Sequence, residues 1–120
     1  MNKKTLVIGA SLKTQRYSNI AINRLVAHQQ DVVALGLREG NVAGVDIDTN
    51  LHTYKDLHTI TLYLNPERQK SYYDFIISSK PKRVIFNPGT ENPELQNLLQ
   101  QANIPFEESC TLVLLSTNQY

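Results

Sequence analysis

The sequence predicts an α/β fold: a three-layer α/β/α sandwich around a mostly parallel sheet of about five strands. Short β-branched and apolar runs recur at Thr5-Leu6-Val7-Ile8, Val32-Val33-Ala34-Leu35, Ile60-Thr61-Leu62-Tyr63-Leu64 and Val84-Ile85-Phe86. Runs of this kind suit strands buried on both faces, as a parallel sheet between helical layers requires. Between them apolar residues fall at helical spacing, at Ile22, Leu25 and Val26, then Tyr73, Ile76 and Ile77, then Leu95, Leu98, Leu99 and Ala102. Helix start and stop signals fall between the strands.

The first helix is expected after the loop at residues 9–16, and the second and third open at Asn65-Pro66-Glu67 and Asn92-Pro93-Glu94. Each of these places a capping amide before Pro at the first helical position and an acid in the first turn. Lys80-Pro81 and Ile104-Pro105 require those helices to have ended, because the residue before Pro is pushed out of the helical region. From Leu37 to Leu57, Gly40, Gly44, Asp46, Asp48 and Asn50 interrupt any periodicity. That stretch reads as a crossover with at most a short strand and a turn of helix near residues 54–57. The tail from Phe106 supplies a fifth strand before or around Cys110, and Leu112 to Leu115 fits strand or helix equally. The alternation is Rossmann-like.

With 120 residues the chain is sized for a single domain spanning 1–120. Apolar residues make up 41% and charged residues 19%, which argues against disordered and membrane classes. Twelve basic and eleven acidic residues give a net charge of +1 without a basic stripe, so nucleic acid is not an expected partner. No apolar run reaches the ~20 residues of a spanning helix and no secretory signal opens the chain, so a cytoplasmic protein is expected. The single cysteine, Cys110, agrees with a reducing compartment.

In an open parallel sheet the ligand crevice lies outside the carboxyl ends of the strands. Those ends are Gly9-Ala10-Ser11, Gly36-Leu37-Arg38, Asn65-Pro66 and Asn87-Pro88-Gly89, which are turn residues, amides and hydroxyls rather than acid–base pairs. They form a binding rim. Gly9 permits a sharp turn out of the first strand, and the following helix directs free N–H groups at whatever occupies it, which suits a phosphate. Ser11 and Ser18 could donate hydroxyls, and Lys13 and Arg16 add charge. The alternative is a plain tight turn with Ser18 as a helix cap.

The residues after Gly9 lack the second and third glycines of the dinucleotide fingerprint. At the end of the second strand Leu37-Arg38 stands where a nicotinamide binder tends to place an acid. Arginine there suits a phosphorylated ribose, and a solvent-facing arginine is the alternative. His28, His52 and His58 lack metal-ligand spacing, and Asp46 and Asp48 are expected to face solvent. Tyr63, Tyr72 and Tyr73 are expected to pack helix against sheet, and Cys110 to be a buried, inert thiol. No catalytic residue, nucleophile–base pair or metal site is expected, so the chain reads as a binder and not an enzyme.

Taken in order, Val7-Ile8-Gly9-Ala10-Ser11 with Ser18, Tyr63-Leu64-Asn65-Pro66-Glu67, Phe86-Asn87-Pro88-Gly89-Thr90-Glu91-Asn92 and Cys110 resemble the small stand-alone coenzyme A-binding domain proteins. These are similar to the coenzyme A-binding domain of the succinyl-CoA synthetase alpha subunit. The resemblance covers nearly the whole chain and implies non-catalytic binding of coenzyme A or an acyl-CoA. It implies that Ser11, Leu12 and Lys13 line the phosphate and pantetheine approach behind Gly9, with Ser18 at the start of the helix. Leu37 and Arg38 would lie near the adenosine end, and Asn65-Pro66 and Asn87-Pro88-Gly89 would flank the ligand. The other reading of Cys110 is a thiol that meets the ligand's own sulfur. Many relatives carry Asn-Pro after the second strand where this chain has Gly36-Leu37-Arg38. The other readings are a scaffold with a vestigial site, kept for structure or interaction, and a binder of a phosphorylated nicotinamide cofactor.

Overall fold

The computed structural model describes residues 2–120. Among them seven strands form one sheet in the order β3-β4-β2-β1-β5-β6-β7. The strands are β1 Thr5–Ala10, β2 Val32–Gly36, β3 Gly40–Val42, β4 Val45–Asp48, β5 Thr59–Leu62, β6 Arg83–Phe86 and β7 Phe106–Glu108. Only β3 runs antiparallel, against β4. The other pairings are parallel, with Leu6 of β1 opposite Val33 of β2 and Ile60 of β5.

Helices α1 Tyr17–Ala27, α2 Pro66–Gln69, α3 Tyr73–Ser79 and α4 Pro93–Gln101 connect strands, with a 3₁₀ turn, Lys70–Tyr72, joining α2 to α3, and α5 Thr111–Ser116 follows β7. Strand alternation divides the core between two faces. Leu6 and Ile8 point to the side where Ile76 of α3 and Leu95 and Leu99 of α4 pack with Tyr54, Leu57 and Phe86. Val7 and Ala10 point to the side covered by Ile22 and Leu25 of α1 and Leu115 of α5. This is the expected three-layer sandwich.

Both proline-led helix starts are capped by asparagine. The Asn65 side chain accepts from the Arg68 N–H, and that of Asn92 from the N–H groups of Glu94 and Leu95. The crossover departs from expectation. Instead of one short strand and a turn of helix it contains the β3–β4 hairpin, and residues 54–57 are non-helical. Tyr54 and Leu57 are nonetheless buried, so that segment serves the core through side chains alone. In the tail, β7 precedes Cys110 and residues 111–116 are helical.

Candidate functional site

After β1 the chain moves to β2 on one side of it and later to β5 on the other, so strand order reverses between β1 and β5. A crevice belongs at this switch point. Gly9 lies there with φ +96°, and a Cβ on it would sit 2.9 Å from the Tyr63 carbonyl oxygen at the end of β5. The positive φ and the close approach both exclude a side chain, and they explain the bulge between Ile8 and Ala10. On the other flank a Cβ on Gly36 would lie 2.4 Å from the Ala10 oxygen. The carboxyl ends of β2, β1 and β5 are therefore held in direct contact.

The loop after β1 turns on itself. The Ser11 hydroxyl accepts from the Lys13 N–H at 3.1 Å, and the Ser11 carbonyl accepts from the buried Asn19 side chain at 2.9 Å. Asn19 thus ties the loop to α1, a role its sequence position did not signal. Ser18 lies in the first turn of α1 but does not cap it. Arg16 holds the N-cap position with no side-chain hydrogen bond, so the first N–H groups of this 11-residue helix remain available at the turn. Leu12, at 44% exposure, lies over Gly40 at the start of the hairpin, and Leu37 beyond β2 is 76% exposed. Lys13, Arg16 and Arg38 are exposed, and among the described residues none takes part in an ion pair.

The asparagines behave differently. Asn87 is buried, and its Nδ2 donates to the Thr61 hydroxyl at 2.6 Å and to the Leu62 carbonyl at 2.9 Å. Its Oδ1 accepts from the Thr111 N–H at 2.9 Å. The side chain is committed to joining β5, β6 and α5, leaving Pro88 and Gly89 as the exposed part of that loop. Asn65 is exposed, with its Oδ1 on the Arg68 N–H. Gln69 is fully buried and bridges the two loops, donating to the carbonyls of Leu64 and Thr90 and accepting from Asn92 Nδ2. The rim is consequently stiff on this side.

Two further features go beyond the sequence reading, which places Asp48 toward solvent and Tyr63 in helix–sheet packing. Asp48, at the carboxyl end of β4, accepts from the Tyr54 hydroxyl at 2.6 Å and bonds His52 Nε2 at 3.0 Å. The tyrosine hydrogen bond, followed by that of His52, holds the Asp48 carboxyl below its ordinary range, and Asp48 in turn raises the imidazole. Both carboxylate contacts stay within the cluster. The second feature is the Tyr63 hydroxyl, buried without a partner of hydrogen-bond geometry. Burial pushes its pKa up to about 12, although the nearby hydroxyls of Thr111 and Thr61 oppose the shift. Those two are bonded to each other at 2.8 Å. Cys110 is half-buried at the N-cap of α5, with a free thiol.

Among the described residues no cluster of histidine, cysteine and carboxylate groups could hold a metal ion, and no helix is long and apolar enough to cross a membrane. No curated protein matches the chain. A solved structure described as an uncharacterized protein is 43% identical over 100% of this chain and 99% of its own, with a TM-score of 0.97. A hypothetical protein from Pyrococcus horikoshii OT3 is 24% identical over 93% of this chain and 80% of its own, with a TM-score of 0.84. A Thermus thermophilus structure, 17% identical, covers 99% of this chain and 91% of its own at the same TM-score of 0.84, and these last two show the shared fold. The model of the family described as "CoA binding domain" matches residues 3–116. With a Rossmann-like sheet and a rim built at its switch point, this chain belongs to the CoA binding domain family.

Proposed function

We propose that this chain binds coenzyme A or an acyl-CoA at the β1–β5 switch point and catalyses no reaction of its own. The observation that carries the reading is the family match over residues 3–116, falling on a chain whose rim suits a phosphate-bearing ligand with an apolar arm. Lys13, Arg16 and Arg38 provide unpaired cations for phosphates, and the uncapped start of α1 provides backbone donors. The exposed Leu12 and Leu37 offer apolar contact to the pantetheine arm. Gly9, Ser11 and Ser18 shape the turn, and Pro66, Pro88 and Gly89 form the opposite wall. The histidine that bonds Asp48 has its second ring nitrogen 3.4 Å from the Thr53 carbonyl, and no nucleophile is bonded to it. Bound coenzyme A would bring its own thiol or thioester, while the protein holds and orients it. A single free thiol fits a reducing, cytoplasmic setting.

Thermal unfolding with millimolar coenzyme A, acetyl-CoA, NADPH or ATP tests this. Ligand at a hundred times Kd stabilises the native state by about 2.7 kcal/mol, which a melting curve resolves. Coenzyme A is expected to raise Tm. Lys13→Ala and Arg38→Ala should each weaken binding roughly tenfold, the loss of one charge-assisted hydrogen bond, with the unliganded Tm nearly unchanged. Absence of both a shift and binding heat with coenzyme A overturns the reading. A response to NADPH alone would transfer the site to a phosphorylated nicotinamide cofactor.

A further inference from the structure

At the opposite edge of the sheet, the loops that lead into β1, β2, β5 and β6 surround an open basin of about 770 Å³. Four lysines line it: Lys4, Lys55, Lys80 and Lys82. Asp31 and Asp56 are the acids present, so cations outnumber acids two to one before His58 is counted. Among the described residues, none of these lysines or aspartates is in an ion pair. A chain with a net charge of only +1 has therefore gathered a third of its lysines and arginines around one concavity and only half as many acids, which leaves the basin net positive. A cleft with an excess of one sign of charge, here four lysines against two aspartates, focuses potential and concentrates counter-ions.

The placement of these groups is defined by the fold. Lys4 Nζ donates to the Lys55 carbonyl at 2.9 Å, which ties the loop before β5 to the start of β1. Lys80 occupies the left-handed cap of α3 at φ 48°, a conformation taken after α4 and α5 by Asn103 and Asn118. His58 is oriented by its neighbours. The Thr59 hydroxyl accepts from Arg83 Nε and Nη2, so its own proton goes to His58 Nδ1 at 2.8 Å. The neutral ring then carries its hydrogen on Nε2, as a donor. Burial lowers the His58 pKa, and the charges of Arg83, Lys3 and Lys82 lower it further.

We propose that this basin is a second binding site, for a compact polyphosphate anion, separate from the crevice at the carboxyl ends of the strands. The lining selects the class. It contains no aromatic ring besides the His58 imidazole on which a base could stack. Lysines act as point charges, which suits a small anion of high charge density. The volume lies within the range of small-molecule sites.

Inorganic tripolyphosphate is the probe, added to the full chain at low salt while the His58 imidazole is followed by NMR. Its pKa is expected to move upward as anionic charge enters the basin. The double variant Lys55→Gln, Lys82→Gln should weaken binding roughly tenfold, and more salt should weaken it further. Both lysines are exposed, so the variant keeps its fold. Arg38→Ala, at the far edge, should leave the tripolyphosphate-induced movement of His58 unchanged. Citrate should move His58 less, and an equal response overturns the assignment to phosphate. No movement of His58 at millimolar tripolyphosphate, or equal binding by the double variant, overturns the site itself.

Discussion

Asn87 anchors the start of α5 by accepting a hydrogen bond from the Thr111 backbone N–H at 2.9 Å. The same side chain satisfies the Leu62 carbonyl and the Thr61 hydroxyl, so one amide joins three elements inside the core. Asn87→Ala would leave the Thr111 N–H buried without its partner and take one hydrogen bond each from the Leu62 carbonyl and the Thr61 hydroxyl. The expected loss is about 3 kcal/mol, and Tm should fall by roughly 10 °C. Chemical denaturation measures it, and a loss below about 1 kcal/mol would contradict a structural role for this amide.

Gly9 and Gly89 both have positive φ, at 96° and 90°, but differ in surroundings. A Cβ on Gly9 meets the Tyr63 carbonyl at 2.9 Å, whereas one on Gly89 meets nothing within 4 Å. Gly89→Ala should therefore lose only the backbone strain, about 1–2 kcal/mol. Gly9→Ala adds displacement of β5 from β1 and should lose roughly 1–3 kcal/mol more. The difference between the two unfolding free energies measures the close approach at the switch point. Equal losses would mean that the strands separate freely there.

The layers and strand ends could be read in the sequence because buried parallel strands and Asn-Pro-Glu helix starts leave local marks. The β3–β4 hairpin left none. Its two turn residues, Ala43 and Gly44, both have positive φ, a mirror-image turn for which asparagine or aspartate followed by glycine is the usual signal. Here Ala43 takes the first position, and the asparagine is displaced to Asn41, whose Oδ1 accepts from the Gly44 N–H at 3.0 Å. At the rim, residue type was legible while side-chain direction was not. Asn87 reads as a ligand-facing amide, and only packing shows it turned inward to Thr111. Asp48, His52 and Tyr54 stand in an irregular stretch with no periodicity to mark a shared face. The basin lysines come from separate loops, so no run of charge announced them.

His58 and His52 stand at opposite edges of the sheet and titrate in opposite senses. The Asp48 hydrogen bond raises the His52 pKa above the ordinary 6.5, so its contribution to stability is complete below pH 6.5 and is lost as pH rises through the folded value. Asp48, lowered chiefly by Tyr54, contributes above its ordinary 3.8 and loses that contribution as pH falls through its folded value. The pair therefore helps most between those two ordinary values. His58 is lowered first by burial and then by Arg83, Lys3 and Lys82, so the unfolded chain takes up its proton before the folded one. Stability linked to His58 is intact above pH 6.5 and declines as pH falls through the folded value. His58→Gln should flatten the fall of Tm from neutral pH to pH 5, and Asp48→Asn should return the His52 titration toward its ordinary value. Imidazole NMR titrations read both groups directly. A His58 that titrates at or above 6.5 would show that neither its burial nor the surrounding cations disfavour the charged ring, and the acid-side slope would then have another origin.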